Sequence, residues 1–191
     1  MKGFKTIFSL IIIFNLLSFG CQMGKQGDEA DFMVDNEAFA LLSPSSGSSV
    51  NGKARFTQVG EQTVNMVLEV ENIDPGKHAV HLHEKGDCSA PDATSAGEHW
   101  NPTGEKHGKR EAGGQYHKGD INNFMAEADS TAHFEVTIHG WTIGGADSTN
   151  IVGKAVIIHA DADDFTSQPS GAAGARIACG VIEEKNGMGI Y

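Results

Sequence analysis

Apolar and polar residues alternate with a period of two over Ala38–Leu42, Val50–Val59 (VNGKARFTQV) and Thr63–Val70 (TVNMVLEV). In the last of these, Val64, Met66, Leu68 and Val70 fall on one face, as a half-buried strand requires. Ser43–Ser49 reads as a Ser/Gly/Pro turn, and Asn72-Ile73-Asp74-Pro75-Gly76 closes the third strand. Alternation returns over His78–His83 and then stops. Residues 84–118 form a loop of Gly, Pro, Ser and charged residues. Strands resume at Asn122–Ala128, Ala132–Ile138 and Ile151–His159, a second Gly/Ser/Ala loop covers Asp161–Gly174, and Ala175–Ile182 is the last strand. No segment carries a helical period. Many short strands at regular spacing predict an all-β domain, an antiparallel sandwich or barrel with two long loops. A loop of about 35 residues is uncommon in a compact domain unless it is functional or pinned.

The N-terminus breaks this pattern. Lys2 and Lys5 precede an apolar run from Ile7 to Phe19 interrupted by Ser9, Asn15 and Ser18. That run falls short of the roughly 20 apolar residues of a spanning helix, and it fits a secretory signal peptide over residues 1–20. Leu17-Ser18-Phe19-Gly20 before Cys21 resembles a relaxed bacterial lipoprotein signal, with the usual leucine displaced by one position. Cys21 is therefore expected to carry lipid, placing the chain in the periplasm or cell envelope as a membrane-anchored lipoprotein. Ordinary cleavage nearby, with Cys21 free or discarded, is the alternative. Residues 22–36 are polar and aperiodic, so 21–36 reads as a flexible tether and 37–191 as one domain. Of the three cysteines, lipid on Cys21 would leave Cys88 and Cys179 over as a pair in a compartment that permits disulfides.

The formal charge of −11 becomes more acidic by two once Lys2 and Lys5 are removed. Nucleic acid, which selects basic faces, is excluded as a partner by that balance. An anionic substrate would need positive charge concentrated locally.

The stretch from His78 to Asp120 holds six of the nine histidines and seven glycines, a composition that suits metal binding better than a core. His81 and His83, at i and i+2 on a strand, project from the same face. His99, His107 and His117 follow in the long loop, with Asp120 three residues after His117. His159 closes an apolar strand (AVIIH) and precedes Asp161, Asp163 and Asp164. That acidic trio could by itself suggest calcium. His78, His133, His139, Trp100 and Trp141 read as packing or surface residues.

The motifs His81-Leu82-His83, Ser95-Ala96-Gly97-Glu98-His99-Trp100-Asn101-Pro102, His107-Gly108, His117-Lys118-Gly119-Asp120, His159 and Gly174-Ala175-Arg176-Ile177-Ala178-Cys179-Gly180 resemble the copper/zinc superoxide dismutases over roughly residues 37–183. The resemblance implies a Greek-key, immunoglobulin-like barrel with one copper and one zinc per chain. Copper would fall to His81, His83, His99 and His159, and zinc to His99, His107, His117 and Asp120, with His99 bridging. It implies that Asp163 orients one histidine of each set, that Arg176 attracts and orients the anion, and that Cys88 and Cys179 form a disulfide. The implied reaction converts superoxide to dioxygen and hydrogen peroxide, with His99 able to donate a proton. A homodimer is one association the family offers, without an interface signature in this sequence. The rival is a non-catalytic copper/zinc chaperone or carrier on the same fold. Relatives of that kind typically lose a copper ligand or the arginine, and here all are present. The second loop departs from the animal enzymes: it is shorter, lacks lysine, and has Asp161 where they often place a basic residue. Lys85, Lys106, Lys109, Arg110 and Lys118 are the other nearby cations, each expected to be solvated loop charge.

Overall fold

The computed structural model describes residues 36–110 and 113–185. The expected signal peptide, Cys21 and nearly all of the tether lie outside the described residues. Ten strands form: β1 (Glu37–Pro44), β2 (Asn51–Gly60), β3 (Thr63–Glu71), β4 (Gly76–His78), β5 (Val80–His83), β6 (Phe124–Ala126), β7 (Thr131–His139), β8 (Ala155–His159), β9 (Arg176–Val181) and β10 (Glu183–Glu184). A 3₁₀ turn forms at Thr94–Ala96. The protein is all-β, as its alternation predicts.

The strands run β5-β8-β9-β1-β2-β3-β7 in one curled antiparallel sheet, with β10 beside β1 and a separate β4–β6 pair. β1 turns the corner: Glu37–Leu42 pair with β2, while Ser43 and Pro44 pair with β9. On β3 the predicted face Val64, Met66, Leu68 and Val70 is buried, opposite Ile138, Val136, Phe134 and Ala132 of β7. With Phe56, Ile73, Leu82, Trp141, Val156 and Ile158 these residues form the main core, each large apolar side chain contributing about 1.5–3 kcal/mol on burial.

β8 is buried at every residue because both of its faces are covered. Val156 and Ile158 face the main core, while Ala155 and Ile157 join Ala93, Ala96 and Cys179 in a second cluster under the long loop.

Three predicted strands change in the structure. The 78–83 strand divides at Ala79, whose backbone leaves β6 and pairs instead with Asp161 and His159. The strand predicted from Ile151 begins only at Ala155, because Ile151–Lys154 close a turn in which Gly153 adopts φ +76°. The one predicted over Asn122–Ala128 shortens to Phe124–Ala126; Asn123 turns its side chain to the backbone of Asp163.

Candidate metal centre

β5 supplies the base of the site. Val80 and Leu82 face the core, so His81 and His83 emerge on the opposite face of the sheet. β8 pairs with one edge of β5 and places His159 on the same outer face. The other edge of β5 pins the long loop: Trp100 N–H donates to Leu82 O, Leu82 N–H to Gly119 O, and Gly119 N–H to Trp100 O. His99 thereby sits opposite His83, and Asp120 opposite His81. Gly119 is required at this contact, since a Cβ there would stand 2.1 Å from Leu82 O.

Two groups of buried side chains result. The ligand-type atoms of His81, His83, His99 and His159 lie within 4.8 Å of one another, as do those of His99, His107, His117 and Asp120. All of the histidine and aspartate positions implied by the resemblance converge, with His99 common to both groups. The disulfide between Cys88 and Cys179 is formed.

Hydrogen bonds select one nitrogen on each of four rings. His81 Nε2–H and His107 Nε2–H donate to Oδ2 and Oδ1 of Asp163, each at 2.9 Å. His83 Nδ1–H donates to Gly97 O at 2.8 Å, and His159 Nδ1–H more weakly to Gly174 O at 3.4 Å. What remains without a hydrogen-bond partner is His81 Nδ1, His83 Nε2, His99 Nε2 and His159 Nε2 in the first group and His117 Nδ1 in the second, where His107 Nδ1 faces Asp120 Oδ2 at 3.0 Å. Buried polar atoms ordinarily find partners, and ring nitrogens converging in this way on two points fit two cations.

Asp120 gathers the second group. Its Oδ2 accepts from the backbone N–H of Gly108 (3.1 Å) and His117 (2.8 Å), and its Oδ1 from His99 Nδ1–H at 2.8 Å. The donors suit the expected metals: four imidazoles for copper, three imidazoles and a carboxylate for zinc.

Burial, against the pull of Asp163, takes His81 down to about 4. Burial and then neighbouring imidazoles hold His83 and His159 well below the ordinary histidine value, with a smaller push from Arg176. His107 goes the other way: burial lowers it, but Asp120 and Asp163 together outweigh that and raise it to about 9. Burial would raise both aspartates, yet hydrogen bonds from the histidines hold them below the usual carboxylate range.

Arg176, half-buried at the start of β9, donates from a terminal guanidinium nitrogen to Ala93 O at 2.8 Å. Ala93 holds φ +58° while fully buried, and the disulfide loop thus presents its carbonyl to the arginine. Arg110 departs from the expected solvated charge. Its guanidinium donates to the carbonyls of Lys118, Asp120 and His139, and it lies over Tyr116 at 4.7 Å. It latches the turn bearing His117 and Asp120 to the barrel. Neither Arg110 nor the clamp of Asn123 on the Asp163 backbone is visible in sequence, because both bond main-chain atoms that carry no sequence signal.

Fold and site together define a curled antiparallel β-domain with two histidine-rich groups, each able to hold a metal ion. Residues 50–182 match the copper/zinc superoxide dismutase family, and the chain belongs to it. Among solved structures it is similar to the clock protein EA4, at 32% identity over 79% of this chain and 96% of that chain, with a TM-score of 0.69.

Proposed function

We propose that this chain is an active superoxide dismutase, exported and held at a membrane by lipid on Cys21. The observation that carries the catalytic reading is the set of unpartnered nitrogens on His81, His83, His99 and His159, buried and lying within 4.8 Å of one another. Copper bound there supplies a one-electron couple for two successive superoxide anions, and zinc in the second group supplies fixed positive charge. The chain's own residues do the rest. Arg176 offers a cation beside the copper group and orients the anion. His99 Nε2 is free on the copper side while Nδ1 faces Asp120, so Nε2 can take up a proton and release it to the departing peroxide. Two superoxide anions and two protons then give dioxygen and hydrogen peroxide. Asp163 fixes the ring orientation of His81 and His107 through their Nε2–H groups and so turns each Nδ1 towards its metal group.

The likeness to a clock protein keeps a second reading in view, a non-catalytic copper/zinc carrier on the same fold. Measuring copper and zinc content alongside superoxide dismutation on the chain from residue 22, with His159→Ala as control, decides between them. One copper and one zinc per chain, with activity lost in the variant, is the expected result. Metal bound without dismutation would establish the carrier instead.

A further inference from the structure

His107 lies in an irregular segment, with no strand beside it to receive its buried backbone. The side chain of Gln168, in the loop between β8 and β9, fills that role. His107 N–H donates to Gln168 Oε1 at 3.0 Å, and Gln168 Nε2–H donates to His107 O at 2.9 Å. A side-chain amide here imitates the paired bonds of a neighbouring strand. The same segment holds the ring, through Asp163 Oδ1 on His107 Nε2. His107 is therefore gripped twice from residues 163–168: Asp163 sets the rotation of the imidazole, and Gln168 sets the position of the backbone that carries it.

We propose that Gln168 is a positioning residue for the second metal, acting through His107 and selective for that group over the first. The inference rests on reading His99, His107, His117 and Asp120 as a zinc site. Selectivity follows from the contact pattern. Gln168 reaches no histidine of the first group, whose members are placed by β5, β8 and the carbonyls of Gly97 and Gly174. Cutting the clamp lets the His107 main chain drift while its ring remains tied to Asp163, so Nδ1 swings away from the point it shares with Asp120. The two backbone groups are also left in a buried setting without partners.

The test uses metal-free full chain and the variants Gln168→Ala and Gln168→Glu, titrated with zinc and cobalt(II) and separately with copper in chelator competition. Gln168→Ala should lose about 10–100-fold in zinc affinity, shift the visible absorption of cobalt in the second group, and leave copper affinity unchanged within error. Gln168→Glu keeps the acceptor for His107 N–H but turns a carboxylate onto His107 O. It should fall between wild type and alanine, and it keeps the test open if the alanine variant fails to fold. Unchanged zinc affinity in Gln168→Ala, or an equal loss at both groups, overturns the proposal. An unaltered chain that takes neither zinc nor cobalt overturns the zinc reading itself, and this inference with it.

Discussion

Gly171 offers a test of whether Asp163 holds both metal groups. Gly171 adopts φ +68°, and a Cβ built there would stand 1.8 Å from Asp163 Oδ1 and 2.7 Å from His107 Nε2. Gly171→Ala thus makes two separable changes. The left-handed backbone disfavours alanine by roughly 1–2 kcal/mol. The methyl group also evicts the carboxylate that fixes His81 and His107. Gly153 isolates the first effect: it has φ +76°, nothing lies within 4 Å of a Cβ there, and it sits in the turn before β8. Both variants should lose similar stability from the backbone in urea unfolding of metal-free protein. Only Gly171→Ala should lose affinity for copper and zinc, by about 10–100-fold, or roughly 1.4–2.7 kcal/mol per metal. Chelator competition reads both affinities directly. Equal metal affinities in the two variants would refute the reasoning, because the strain at φ would then account for everything and Asp163 for nothing.

Two further outcomes follow from the same contacts. Zinc entering the second group at pH 7 should expel a proton from His107, held up to about 9 by Asp120 and Asp163, whereas His81 at about 4, and His83 and His159 well below the ordinary value, give copper no such competition. Calorimetry in buffers of different ionisation enthalpy should show proton release for zinc and almost none from those three copper-group histidines. In metal-free protein the raised His107 contributes stability that is full below its unfolded value and is lost as pH rises through about 9. The depressed Asp120 and Asp163 contribute stability present above the unfolded carboxylate value and lost as pH falls towards their folded values, so urea midpoints should decline on both flanks. Replacing Cys88 and Cys179 by alanine opens a link spanning 91 residues. Loop entropy puts the loss at up to about 4.6 kcal/mol, or roughly 10–18 °C in thermal midpoint, and a midpoint within about 3 °C of wild type would contradict it.

The sequence discloses strands where one face is wet and loses precision where neither is. β3 announces itself through Val64, Met66, Leu68 and Val70. The start of β8 does not, because Ile151 and Val152 are as apolar as the strand they precede, and only the turn at Gly153 separates them. The candidate metal ligands are legible for a different reason. Histidines at fixed spacings have few competing uses, so their type and order survive in the linear chain. What positions them is not legible: Arg110, Asn123 and Gln168 all grip main-chain atoms, and nothing in a residue's identity says which carbonyl it will meet. Asp163 stands between these cases, suggested by the family resemblance and given its meaning by two ring nitrogens from separate segments.

The field around the first histidine group follows from the charges of this chain's own loops. The domain is strongly acidic, the loop from Asp161 to Ala175 has no lysine, and Asp161 places its exposed carboxylate against Gly174, whose carbonyl faces His159. Arg176 is thus a near cation inside a far negative field. Screening reaches the far field first, since the Debye length shrinks from about 30 Å at 0.01 M salt to about 8 Å at 0.15 M. On the proposed activity, kcat/KM should stay flat or rise over that range, where a cationic funnel would make it fall. Asp161→Lys probes the balance directly. For an anion passing at about 10 Å, reversing one charge in water is worth about 0.8 kcal/mol before screening, which leaves about 2.7-fold in rate at 0.01 M salt and about 1.5-fold at 0.15 M. Stopped-flow decay of superoxide across ionic strength measures both. A wild-type rate that falls steeply with salt would mean that cations elsewhere already dominate the approach, and Asp161 would then carry no weight in it.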